Sequence, residues 1–182
     1  MESAFAWLGE IAEWIGKWIP RVLIVDTTHA AVKFVWGKHA IPLGPGWYLW
    51  WPISTQVTLY PVARQACDLK AQTITTHDGR TIIVGGLLVY EIVDVLAAVA
   101  TTYEPEETAK TIVLASIHDV CAQYSWPELQ EGVRSGKLGR ELRAEAKKDL
   151  DRYGVKVLTL TITDLAPCRV LKLVSSSVGD KF

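Results

Sequence analysis

Gly37-Lys38-His39-Ala40-Ile41-Pro42-Leu43-Gly44-Pro45-Gly46-Trp47-Tyr48-Leu49-Trp50-Trp51-Pro52 is the stretch around which the rest of the chain falls into place. Its three glycines and three prolines permit tight backbone geometry and forbid a helix. Pro45-Gly46 has the composition of the centre of a type II turn, with glycine supplying the positive φ. The turn delivers Trp47-Tyr48-Leu49-Trp50-Trp51, and on a strand alternate members of that run point to opposite faces. Both faces are then apolar or aromatic, so this strand has no ordinary wet side. It is expected either to be buried on both faces or to present one of them to a membrane or another chain.

Strand signals flank the stretch on both sides. Upstream, Arg21-Val22-Leu23-Ile24-Val25-Asp26 is a short apolar run, and residues 30–36 form a second after a Thr27-Thr28-His29 turn. Downstream, residues 56–60 alternate and are cut by Pro61, which has no N–H to give to a ladder. Residues 69–76 and 81–92 read as longer strands joined by His77-Asp78-Gly79-Arg80, and Asp-Gly between two such runs marks a hairpin. Gly85-Gly86 predicts a bulge or the close approach of another backbone. Beyond Asp94 the periodicity changes. Residues 95–100 form a short helical piece, and Pro105 suits the first turn of a helix running to about Tyr124. The apolar stripe of that helix is Val113, Leu114, Ile117, Val120, Cys121 and Tyr124. Ser125-Trp126-Pro127-Glu128 has the spacing of a capping box and opens a short helix to about Gly132. A further helix over 135–153 stops at Gly154, with Leu138, Leu142, Ala146, Leu150 and Tyr153 facing inward. Residues 155–163 make a last strand, with Leu158, Leu160 and Ile162 on one face.

The N-terminal 20 residues read differently. Placed on a helix, Glu10, Glu13 and Lys17 form a narrow polar stripe, and Leu8, Ile11, Ala12, Ile15 and Ile19 fill the opposite face. Trp7, Trp14 and Trp18 line one flank, Gly9 and Gly16 the other, and Pro20 ends the helix. Indole prefers the polar–apolar boundary, so this pattern suits a helix lying in a bilayer surface. The alternative is an amphipathic helix packed on the domain or on a neighbouring subunit. No stretch reaches the roughly 18–20 apolar residues of a spanning helix. The basic start and unbroken apolar centre of a secretory signal are missing too.

Composition narrows the function classes. Hydrophobic residues make up 49% of the chain and mean hydropathy is +0.17, high for a domain with 21% charged residues. A net charge of −1 leaves no basic footprint, so nucleic acid is not an expected partner. The three cysteines, Cys67, Cys121 and Cys168, are odd in number and lack C-x-x-C spacing, which fits a reducing compartment. His29, His39, His77 and His118 show no metal-ligand spacing, and neither a G-x-S-x-G elbow nor a phosphate loop is present. Cys67 and Cys121 are the only nucleophile candidates, and Cys121 falls on an inward stripe. No cofactor and no catalytic activity are expected.

The order of these features resembles the SPFH, or Band 7, domain of stomatins, prohibitins, flotillins and the HflK and HflC proteins. Four stretches carry the likeness: residues 31–38 with 43–52; Thr75-Thr76-His77-Asp78-Gly79 with the strand ending Tyr90-Glu91-Ile92-Val93-Asp94; Tyr124-Ser125-Trp126-Pro127-Glu128-Leu129; and Tyr153-Gly154-Val155-Lys156-Val157 with Thr161-Ile162-Thr163-Asp164-Leu165. The resemblance implies an α+β fold. An amphipathic helix over 1–20 precedes an antiparallel-sheet-rich lobe over 21–94, a helix-rich lobe with a final strand over 95–166, and a short tail over 167–182. It also implies a membrane-bound scaffold whose copies assemble side by side into rings or cages. The amphipathic helix, standing where the family usually has another anchor, makes the expected association peripheral or monotopic, and the cysteine usage sets it at the cytoplasmic face.

The alternatives are a soluble ring-forming interaction protein and a regulator enclosing a membrane protease. The family's long coiled coil has no counterpart in the residues after the last strand, so lateral contacts between lobes are expected to carry assembly. The expected membrane-contact residues are Phe5, Trp7, Leu8, Ile11, Trp14, Ile15, Trp18 and Ile19 on the helix, with Trp47, Trp50 and Trp51 as a second wedge. The expected contacts between copies are Arg140, Arg143, Lys147, Lys148 and Asp151, on a mixed-charge helix face that reads equally as solvated.

Overall fold

The computed structural model of the protein describes residues 19–168. The helix expected over 1–20, with Phe5, Trp7, Leu8, Ile11, Trp14, Ile15 and Trp18, therefore lies outside the described residues except for its last two positions. Nearly all of the tail over 167–182 lies outside them as well.

Eight strands and four α-helices follow in order: β1 (Arg21–Val25), β2 (His29–Val35), β3 (His39–Leu43), β4 (Gly46–Trp50), β5 (Thr55–Pro61), β6 (Gln65–Thr75), β7 (Thr81–Ile92), α1 (Val95–Thr101), α2 (Pro105–Gln123), α3 (Trp126–Arg134), α4 (Lys137–Leu150) and β8 (Val155–Pro167). The fold is the expected α+β arrangement. Three antiparallel sheets form: a β1–β4 ribbon, a β3-β2-β5 sheet and a β6-β7-β8 sheet.

The turn at Pro45-Gly46 departs from expectation. Gly46 has φ 149°, the extended mirror-image region that glycine alone adopts freely, and not the value of about +80° that a type II turn requires. It opens β4 as a strand residue. The connection is also not a hairpin, because β3 pairs with β2 while β4 crosses to β1. The Tyr48 hydroxyl donates to the Gly44 carbonyl at 3.1 Å and braces this crossover. The second strand ends one residue earlier than its apolar pattern suggests. Trp36 and Gly37 both take positive φ, 53° and 65°, in a tight turn where Lys38 N–H donates to the Val35 carbonyl.

Elsewhere local chemistry decides the local structure. In the β6–β7 turn Gly79 has φ 76° and Asp78 accepts a hydrogen bond from the Thr76 hydroxyl. Glu128 accepts from the Ser125 N–H at 2.8 Å and from its hydroxyl at 2.6 Å, closing the start of α3. Gly154 ends the single 3-10 turn after α4 with φ 68°.

The main core lies where α2 and α4 cover the β6-β7-β8 sheet. Val113, Ile117 and Cys121 from α2 and Leu138, Leu142 and Leu150 from α4 join Ile74, Leu88, Tyr90 and Val157 from the strands. Residue 94 marks the change from strands to helices, but packing runs across it, because β7 pairs with β8 along its whole length. That pairing carries register shifts at Gly85/Gly86 and Val89/Tyr90. They re-phase β8, so Val155 and Val157 are buried, then Leu160, while Leu158 is only half-buried. The uniform Leu158, Leu160, Ile162 face read from simple alternation is broken for this reason.

Candidate functional site

The β1–β4 ribbon explains where the tryptophans go. Its register sets Val22 opposite Leu49 and Ile24 opposite Trp47, while Arg21 faces Trp50 and Leu23 faces Tyr48. Directly opposed residues of an antiparallel pair share a face, and successive residues alternate. One face of the ribbon therefore holds Val22, Ile24, Trp47 and Leu49, which are 60, 70, 78 and 55% exposed. The other face turns inward: Val25 is buried, and Leu23, Tyr48 and Trp50 are half-buried. A doubly apolar strand paired with another doubly apolar strand has one face to fill a core and one left over.

The three tryptophans expected to form a wedge thus separate. Trp47 is on the outward face, Trp50 is on the inward face of the same strand, and Trp51 follows the strand and is 48% exposed. Ile19, just before β1, is also exposed. Val22, Ile24 and Leu49 were not singled out from the sequence. An unbroken apolar run such as residues 22–25 reads as a strand buried on both sides. The available signal was the shortness of both strands, which leaves too little chain to cover two faces. Trp36, exposed at its strained turn, adds another apolar side chain to the outside of this part of the molecule.

The expected contact residues on α4 also divide. Arg140 and Arg143 line a groove of about 270 Å³ against Leu158–Ile162 of β8. Arg143 continues into a second groove of about 370 Å³, shared with Lys147, Asp151 and Val155–Val157. Lys148 is engaged elsewhere: its ammonium pairs with Glu145 at 2.6 Å, and that hydrogen bond raises its pKa above the ordinary lysine value. Arg140, Arg143 and Lys147 have no carboxylate partner among the described residues.

Cys121 is fully buried, and burial alone pushes its thiol up to about 11, the reverse of what a nucleophile needs. Burial also raises Cys67. His118 is exposed, with Nδ1 3.2 Å from the Asp119 carboxylate. Among the described residues no cluster of three His, Cys, Asp or Glu is placed to hold a metal, and no helix is long and apolar enough to cross a membrane.

Comparison with known proteins places the chain in a wider set. The profile described as SPFH domain / Band 7 family matches residues 23–172. An uncharacterised protein of Archaeoglobus fulgidus is 21% identical over 159 residues, covering 87% of this chain and 63% of that protein. The chain thus spans less than two thirds of that relative's length.

Proposed function

The chain belongs to the SPFH domain / Band 7 family, and from that membership we propose a non-catalytic scaffold that meets a lipid bilayer through its β1–β4 ribbon and gathers further copies beside it. Members of the family are in general membrane-associated scaffolds. The observation that carries the reading is the outward ribbon face of Val22, Ile24, Trp47 and Leu49. Four large apolar side chains on one exposed face seek an apolar partner. A two-stranded ribbon cannot enter the hydrocarbon interior, because its free edges carry unpaired N–H and C=O groups. It can rest at headgroup depth, where tryptophan is favoured. The N-terminal amphipathic segment, which joins β1 through Pro20, supplies a second contact to the same surface in this reading.

Flotation of the full chain with liposomes tests it. The wild-type chain is expected to float. Ile24→Glu with Trp47→Ser is expected to weaken flotation by tenfold or more without lowering the melting temperature. If the variant floats unchanged, the ribbon is not the membrane contact. If flotation is unchanged but the oligomer mass falls, the face packs on protein, as in a soluble ring.

A further inference from the structure

Two separate surfaces, one along β8 and one where β5, β6 and β7 meet the α1–α2 corner, complement one another. Along β8, the α4 groove is lined by the apolar Val133, Leu158 and Leu160 together with Arg140 and Arg143. The β8 strand pairs only with β7 among the described residues, so its outer edge is open beside the groove.

The other surface is the corner between α1 and α2. Tyr103 is 95% exposed there, and with residues 104–107 it lines a cavity of about 410 Å³ shared with β5, β6 and β7. Tyr90 also lines that cavity and donates its hydroxyl to Gln65 Oε1 at 3.0 Å. Three carboxylates follow Tyr103. Glu106 and Glu107 share Lys110, at 2.7 and 2.9 Å. Glu104 precedes α2 without a side-chain capping bond and has no cationic partner among the described residues. The α1–α2 corner therefore presents an aromatic side chain next to a carboxylate without a cationic partner among the described residues. The groove along β8 presents an apolar slot next to two guanidinium groups likewise unpaired.

We propose that copies of this chain associate head to tail, the Tyr103–Glu104 corner of one docking in the α4–β8 groove of the next. Tyr103 fills the slot against Val133 and Leu158, and Glu104 meets Arg140 and Arg143. Tyrosine and arginine are the side chains that most often anchor interfaces, and the planar guanidinium suits a carboxylate. Two different patches on one molecule make a heterologous contact, which propagates from copy to copy and closes into a ring when the rotation allows. This inference rests on the self-association in the proposed function and supplies its contact surface.

Charge exchange between full-length chains tests it, with mass measured by light scattering in detergent. Wild type is expected above the monomer mass of 20.2 kDa. Arg140→Glu with Arg143→Glu leaves acidic groups on both surfaces, and Glu104→Arg leaves basic groups on both, so each variant alone should fall to monomer. An equimolar mixture restores opposite charges at every junction and should regain the wild-type mass. A wild-type chain that is monomeric both in detergent and on vesicles overturns self-association itself. Undiminished variants overturn this interface alone, and loss without rescue on mixing overturns the head-to-tail pairing. A cross-link covers the case of a variant that does not fold. Tyr103→Cys with Val133→Cys in one chain, with Cys67 and Cys168 replaced by Ser, should give a ladder of disulfide-linked multimers on oxidation. A product confined to monomer overturns the contact.

Discussion

At the scale of the residue, two backbone positions and one carboxylate separate strain from stability. Trp36 holds φ 53°, a region costly for a bulky side chain, while its ring stays exposed. Trp36→Gly is expected to raise unfolding stability by about 1 kcal/mol, read from urea titration. Gly154 is the opposite case. At φ 68° an added Cβ would lie 2.3 Å from the Asp94 carbonyl oxygen, and the Val93 and Asp94 N–H groups both donate to the Gly154 carbonyl. Gly154→Ala should therefore cost about 2 kcal/mol or more, visible as a lower urea midpoint at constant slope. Glu91 accepts a hydrogen bond from Lys156 at 2.8 Å and lies near Arg64, and these hold its carboxyl below the ordinary value of 4.5. A depressed folded-state pKa adds stability above the unfolded value, and that stability is lost as pH falls through the folded value. Glu91→Gln is expected to flatten the decline of stability below pH 4.5, with little change in its shape near neutrality.

At the scale of the element, the ribbon sorts its tryptophans by face. Trp47 and Trp50 sit three positions apart on β4, which puts them on opposite sides. Trp47→Ser should weaken vesicle binding by roughly tenfold, the loss of about 1.4 kcal/mol of interfacial transfer, with the melting temperature unmoved. Trp50→Ser should do the reverse, lowering the melting temperature and leaving affinity alone. Quenching by brominated lipid, with the other tryptophans changed to Phe, reads this directly. Equal behaviour of the two would mean that the ribbon does not present a single face to lipid. The β7–β8 ladder illustrates the same dependence on phase. Gly86 allows the Thr161 carbonyl to come within 3.0 Å of where a Cβ would stand, and the bulge beside it re-aims the side chains of β8.

At the scale of the whole molecule, the proposed membrane contact combines the ribbon with the N-terminal segment. Replacing Ile11 and Ile15 by Glu should release the chain from liposomes while the folded lobes keep their melting temperature. Two aliphatics buried in a bilayer carry roughly 3–6 kcal/mol of transfer energy, about 150-fold in affinity at the lower bound. A double variant that still floats would assign anchoring to the ribbon alone. The cysteines report on the core as a unit. Cys121, sealed by burial, is expected to resist a thiol reagent until the chain unfolds, while Cys67 and Cys168, both partly accessible, react first.

Periodicity and punctuation marked most of the elements on their own, but not β3, which the Gly/Pro-rich composition of residues 37–46 hid. The Asp78-Gly79 hairpin, the Glu128 cap of α3, the Gly154 stop and the inward stripes of α2 and α4 rest on interactions between residues a few positions apart, so they are legible in order along the chain. The order of those elements also sufficed to point to the family. Only the tertiary structure decided which strands pair. Residues 37–52 contain two strands that part company, β3 joining β2 and β4 crossing to β1, because the Gly44-Pro45-Gly46 segment redirects the backbone between sheets. That crossover left Val22, Ile24, Trp47 and Leu49 outside and drew Trp50 inward. An apolar strand shows that something must cover it, but which face is covered depends on a partner distant in sequence. The grouping of Arg140 and Arg143 with β8 has the same cause: α4 and β8 are consecutive, yet the groove exists only because β7 holds β8 in place from the other side.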